Sequence, residues 1–352
     1  MEYKKHIEDL VDTVIKEGAS DLHLAEGRTP VIRVSGTLIP LVKYPVLTAA
    51  DMKGFVDEFL NDENKTLLEA DREVDFSYSL TATRFRGNAY YRQTQISIAL
   101  RLIPKSIRTL QELNLPPILE TFTRKQQGFF LVVGPIGQGK TTTLASLIEM
   151  INQTRNEHIL TIEDPVEYLF ESKKSIIDQR EVRIDTPDFN SSLISMFRQD
   201  IDVCLVGEMR DITTMATAVT AAETGHLVFS TLHTNNAAQT INRIIDSFPS
   251  TQQDQIRVQL AGSLTGIFSQ RLVPRISGGL IPAYELLINN NAVANLIREK
   301  RIHEINTVIE TSSAEGMIDM NRSLAELVRK GEISVESAYL NSLNPKNLER
   351  MI

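Results

Sequence analysis

The sequence predicts an α/β protein: a parallel sheet covered by helices on both faces, with a mixed helix-and-strand segment before it and a helical segment after it. Three observations predict this. Short, wholly apolar runs alternate with helical stretches through the middle of the chain: FFLVV (129–133), HILTI (158–162), VCLV (203–206) and LVFST (227–231). Before them, residues 1–103 mix one amphipathic helix with segments in which apolar and polar residues alternate, as in half-buried strands. After Asn291 the pattern turns helical, in AVANLIREK, HEINTVIE and NRSLAELVRK. The expected division is 1–103, a connector over 104–125 marked by Pro104, Pro116 and Pro117, a core over 126–290, and a helical region over 291–352.

In the first segment, Ile7, Leu10, Val11, Val14 and Ile15 are spaced to share one face of a helix. SDLHL and PVIRVSG then read as strands, and TRFRGNAYYRQTQISIALRLIP as two more, with Arg84, Arg86, Arg92 and Arg101 on or beside them. The 352 residues are 42% hydrophobic and 23% charged, the balance of a folded globular chain and not a disordered one. A net charge of −8 and the absence of tryptophan argue against a nucleic-acid translocase, which needs basic and aromatic surface. With Cys204 the one cysteine, neither an internal disulfide nor a cysteine zinc cluster can form. No apolar run approaches the roughly 20 residues that span a bilayer, so a cytosolic protein reaching a membrane only through a partner is expected.

The strongest signal is GPIGQGKT, Gly134 to Thr141, which follows a strand and opens a helix. Its glycines let successive backbone N–H groups turn inward on phosphate oxygens, and the helix presents its positive end to the same anion. Gly134, Pro135, Ile136, Gly137, Gln138, Gly139, Lys140, Thr141 and Thr142 are the expected nucleotide-binding residues. Lys140 can reach the β- and γ-phosphates, and the Thr141 hydroxyl can ligate Mg²⁺.

Hydrolysis also needs a carboxylate near the metal and a group to orient water. IDVCLVGE delivers Glu208 at a strand end, with Asp202 at its start; the alternative is that Glu208 caps the following segment. HILTIEDPVEY delivers Glu163 and Asp164 in the same way, the alternative being a solvated turn or a helix N-cap. His226 and His233 flank the strand LVFST, and His233 sits among Thr231, Thr234 and Asn235, a polar cluster where a γ-phosphate sensor could lie; a structural role is the other reading. Arg86 and Arg101 are either a solvated basic face or arginine fingers.

Together, in this order, GPIGQGKTTT, TIEDPVEY, LVGEMRD and TGHLVFSTLHTNNA resemble the secretion-superfamily ATPases. SDLHL, RFRGNAYYRQ, QREV, NRIIDSFP and SLAELVRKGEIS extend the similarity over nearly the whole chain, toward the type IV pilus retraction ATPases of the PilT type with its PilU paralogue. That resemblance implies a PAS-like N-terminal domain, a RecA-like ATPase core and a helical C-terminal region. It implies a homohexameric ring that hydrolyses ATP with Mg²⁺ at sites between domains or subunits, drives pilus retraction and twitching, and docks on an inner-membrane platform protein, with a paralogous ATPase as a further partner. It makes Glu163 the general base, places Glu208 at Mg²⁺ with Thr141, casts His226 and His233 as nucleotide sensors, and brings Arg86 and Arg101 to the phosphates. Assembly ATPases of the superfamily carry a longer N-terminal region and a tetracysteine motif, so retraction is expected over assembly.

The chain departs from the family pattern at Ile136 and Gln138, where threonine and serine are common, and at Ala294, which stands in AVANLIRE where relatives carry arginine. Both subtypes stay open, since GEMRD leans toward PilT and LVP (272–274) toward PilU. A nucleotide-gated regulatory subunit with little turnover is the remaining alternative.

Overall fold

A computed structural model describes residues 2–34, 36–80, 83–103 and 106–352, so Pro104 lies outside the described residues. The chain divides into two compact units. One runs up to Ser106 and includes the short segment Pro165–Leu169; the other holds Ile107–Asp164 and Phe170–Ile352.

The first unit is built on an antiparallel sheet: β1 (Asp21–Ala25), β2 (Val31–Val34), β3 (Thr37–Pro40), β4 (Glu73–Leu80), β5 (Thr83–Arg92) and β6 (Gln95–Ile103), in the order β3-β2-β1-β6-β5-β4. One sheet face packs on the helices Glu2–Lys16 and Ala49–Phe59 through Ile7, Leu10, Val14, Phe55, Phe59, Phe76 and Phe85. Ile15, expected on the buried helix face, is 47% exposed. It sits about 80° round the helix from Ile7, beyond the edge of the stripe. On β5 the pattern is strict: Phe85 and Ala89 are buried while Arg84 and Arg86 point to the other face. Strands β3 and β4 had no reading in the sequence. β3 is a fully exposed edge strand, and β4 carries its alternation in EVDFSYSL with polar residues on one face.

The second unit is a seven-stranded sheet in the order β13-β12-β7-β11-β10-β8-β9. Its strands are β7 (Gly128–Val133), β8 (His158–Glu163), β9 (Ile176–Glu181), β10 (Val203–Val206), β11 (Leu227–Leu232), β12 (Leu264–Pro274) and β13 (Leu280–Ile288). All neighbours are parallel except β12 and β13, which form an antiparallel pair. The four apolar runs are the four central strands β7, β8, β10 and β11. β7, β10 and β11 are buried along their whole length, as crossover helices on both faces require. β9 lies at the edge and keeps polar residues, and β12 carries Gly266, Gln270 and Arg271, which masks both from an apolar-run reading.

Residues 107–125, read as part of a connector, pack on the core: Leu110, Leu115, Leu119 and Phe122 share a cluster with Phe130, Leu147 and Phe268. The helices Asn291–Arg298 and Met320–Arg329 bear out the helical C-terminal pattern and bury Val293, Ile297, Leu324 and Ala325 against the same unit. Ala294 faces inward and is buried. No helix among the described residues is long and apolar enough to cross a membrane.

Candidate active site

β7 ends at Val133, and the chain curls through Gly134–Gly139 into the helix Lys140–Thr154. The glycines at the two ends of this loop are needed for different reasons. At Gly134 (φ 147) a Cβ would stand 2.4 Å from the Gln270 carbonyl oxygen, a clash with rigid backbone. Gly139 (φ 78) is the helix N-cap in a left-handed conformation, which glycine adopts without penalty. Ile136 is 83% exposed at the loop tip. Gln138 does more than lend its backbone: its side-chain oxygen accepts from Leu272 N at 2.6 Å on β12.

Lys140 is buried, and its ammonium donates to Gly134 O (2.8 Å), Pro135 O (2.9 Å) and His233 Nδ1 (3.1 Å). Thr141 and Thr142 are half-buried in the first helical turn, at the positive end of the helix. Loop, ammonium and helix end together make a site for a polyphosphate anion.

Three more groups arrive from neighbouring strand ends. His233 follows β11, which pairs with β7. Its Nε2 is 3.7 Å from Glu208 Oε2. Burial and the Lys140 ammonium hold the His233 pKa below its ordinary value, with Glu208 pulling the other way. The imidazole is therefore neutral at pH 7. Because Lys140 donates to Nδ1, the proton sits on Nε2 and points at Glu208. Glu208 follows β10 and also pairs with Arg210. The alternative role for Glu208 as a cap falls to Asp211, whose side chain accepts from Thr214 N at the start of the helix Ile212–Glu223. Asp202, at the other end of β10, accepts from His158 N and lies away from the loop.

Glu163 ends β8, is buried, and accepts from the Thr161 hydroxyl (2.7 Å) and the Gln179 amide (3.4 Å). Gly207 would meet Ile162 O and Glu163 Cα at 3.3 and 3.5 Å if it carried a Cβ, so strands β8 and β10 approach closely where both carboxylates emerge. No helix follows Asp164, which removes the helix N-cap reading. The threonines near His233 are structural: Thr231 donates to Gly207 O, and Thr234 bonds Thr240.

His226 lies elsewhere. It precedes β11, so six strand residues separate it from His233, roughly 20 Å of strand. Its Nδ1 bonds Ala221 O at 3.1 Å and its ring meets Phe197 edge-on.

In the first unit, Arg86 and Arg101 are direct cross-strand partners. They belong to one row: Arg33 on β2, Asp21 on β1, Arg101 on β6 and Arg86 on β5. Asp21 accepts from Arg101 Nε at 2.9 Å and lies 3.9 Å from Arg33. Burial pushes the Asp21 carboxyl up, but hydrogen bonds from Ser20 and Arg101 outweigh it and hold the pKa below the usual value. Arg86 is 3.5 Å from Glu167. Two guanidinium groups opposed across a strand pair repel, and the carboxylates of Asp21 and Glu167 offset that charge.

Sequence reasoning missed Gln270, Gln179 and Thr161, which hold the loop and Glu163. Polar residues inside or beside apolar strands were the available signal.

Residues 2–336 match the family described as Type II/IV secretion system protein. The type IV pilus retraction ATPase PilT of Pseudomonas aeruginosa is 41% identical over 342 residues, covering 97% of this chain and 99% of its own. The type IV pilus ATPase PilU of the same organism is 36% identical, over 100% of this chain and 91% of its own. A crystal structure of the pilus retraction motor PilT with bound ADP superposes with a TM-score of 0.91 at 44% identity, covering 97% and 98% of the two chains. The family match over residues 2–336 and the likeness to PilT along nearly the whole length place the chain in the Type II/IV secretion system protein family, among its type IV pilus retraction ATPases.

Proposed function

We propose that this chain is the ATP-driven motor of type IV pilus retraction and twitching motility, working as a homohexameric ring on an inner-membrane platform protein from the cytoplasmic side. One observation carries the ATPase part: Lys140, His233, Glu208 and Glu163 reach the same edge of the parallel sheet from the ends of β7, β11, β10 and β8. The pilus part rests on the likeness to PilT over the whole chain.

The loop amides and Lys140 bind the phosphates of ATP. Lys140 exchanges its contacts with Gly134 O, Pro135 O and His233 Nδ1 for phosphate oxygens, which changes the hydrogen bonding of His233 and, through Nε2, of Glu208. That makes His233 the nucleotide sensor. Glu163 is the general base for water, with Thr161 fixing its carboxylate. Thr141 and Glu208 would hold Mg²⁺. Two protein oxygens suffice, because Mg²⁺ takes its other ligands from phosphate and water. Bound there, the ion would neutralise charge on the transferred phosphoryl group. Arg86 and Arg101 add positive charge to the same group, coupling hydrolysis to movement of the first unit. His226 stands at the opposite end of β11 from these groups.

A second reading, a PilU-type accessory ATPase with little turnover of its own, is favoured by Ala294, which replaces the family arginine. ATPase rate against protein concentration, with mass photometry on the same samples, separates the two. Hexamers whose specific activity rises with assembly, and a dead Lys140→Ala variant, support the motor. A monomer that binds ATP without turnover would point to the accessory role.

A further inference from the structure

The phosphate loop is held from behind by a strand that the nucleotide motif does not include. Gln270 lies on β12, is 3% exposed, and uses both ends of its side-chain amide. Its Nε2 donates to Gln138 O in the loop at 2.7 Å, and its Oε1 accepts from Thr143 Oγ1 in the first turn of the following helix at 2.7 Å. Its own carbonyl is the atom against which Gly134 packs, and its amide nitrogen lies 3.1 Å from where a Cβ on Gly139 would stand. Gln138 returns the contact by accepting from Leu272 N. The start, end and exit of the loop are thus all referenced to one residue.

We infer that Gln270 is a positioning residue for nucleotide binding: its amide fixes the loop backbone relative to the helix N-terminus, so that the loop N–H groups converge on phosphate before nucleotide arrives. This rests on the reading of Gly134–Thr142 as the nucleotide site. An amide suits the task because it donates and accepts at once. A carboxylate could not donate to Gln138 O, and a hydrocarbon could do neither.

Two consequences separate positioning from mere packing. Placing loop amides contributes to ground and transition states alike, so its loss raises KM and leaves kcat nearly unchanged. The effect also follows the Thr143 hydroxyl, which touches the loop only through Gln270.

The test uses the full chain, with mant-labelled ADP as the binding probe, steady-state ATPase kinetics and thermal unfolding. Gln270→Met conserves shape and removes both hydrogen bonds. It is expected to weaken mant-ADP binding about tenfold, with KM for ATP rising in proportion and kcat within about threefold. Thr143→Val is expected to weaken binding by a smaller factor, and Thr143→Ser to restore it. Gln270→Met binding within twofold of wild type in a folded protein would overturn the inference, as would Thr143→Ser binding as weakly as Thr143→Val. If Gln270→Met does not fold, the Thr143 pair decides alone. Wild-type protein that fails to bind mant-ADP would instead overturn the nucleotide reading itself.

Discussion

In the parallel sheet, Lys140, His233, Glu208 and Glu163 reach one edge from four adjacent strands. In the antiparallel sheet, Arg33, Asp21, Arg101 and Arg86 meet as a row across four strands. The difference follows from strand direction. Parallel strands all end on the same edge, so residues just past each strand collect there whatever their separation in sequence. Antiparallel strands alternate their ends, so residues gather only where register puts them opposite each other on one face. The first arrangement gathers side chains from loops and helix starts, with Lys140 and Glu163 buried among their hydrogen-bond partners. The second mounts charges on the face of a sheet, each fixed beside its cross-strand neighbour.

The sharpest way to break this comparison is to remove one charge from the row. Arg86→Ala is expected to slow turnover about a thousandfold while nucleotide still binds, if the row delivers a finger to the phosphoryl group. Single-turnover hydrolysis and mant-ADP titration on the same sample measure both. Turnover within twofold of wild type would reduce the row to a structural feature of the first unit.

The two histidines test the parallel sheet by itself, since they stand at opposite ends of β11. His233→Ala is expected to lower turnover on the order of a hundredfold, the scale of losing one positioned polar group at the phosphates. His226→Ala leaves turnover within about threefold and costs about 1 kcal/mol of stability through its bond to Ala221 O. Equal effects on turnover would mean that the edge of the sheet does not separate the two.

The same directional logic decided what could be read from sequence. β7, β10 and β11 are buried on both faces, so they announce themselves as unbroken apolar runs, and the loops that follow them carry the chemistry. The two apparent sensors, His226 and His233, look alike in TGHLVFSTLH, because seven residues of sequence hide a full strand length in space. β12 was invisible because its polar residues interrupt the pattern. Yet Gln270 and Arg271 are polar for opposite reasons: one faces the phosphate loop, the other donates to Asn341 O and lies 3.4 Å from Asn235. The arginine row could not be read either. Arg86 and Arg101 are separated by a hairpin, and Asp21 lies 80 residues before Arg101. Only the strand register brings them together.

A pH-dependent effect tests how tightly a buried polar residue of the β12–β13 pair is held. Glu285 on β13 is buried, and accepts from Ala237 N at 2.8 Å, at the start of the helix that follows the His233 loop. Burial raises its pKa from 4.5 to about 7, with Asp319 adding to the shift and the Ala237 amide opposing it. A carboxyl whose pKa is raised on folding stabilises the fold while protonated. That stability is fully present below the unfolded pKa and is lost as pH rises through the folded one. Wild-type protein should therefore lose about 2 kcal/mol between pH 5 and 8 relative to Glu285→Gln, which cannot titrate. Urea unfolding of both proteins across that range measures the difference. Parallel profiles would show that folding does not raise the Glu285 pKa, and so that its carboxylate keeps access to water when it ionises.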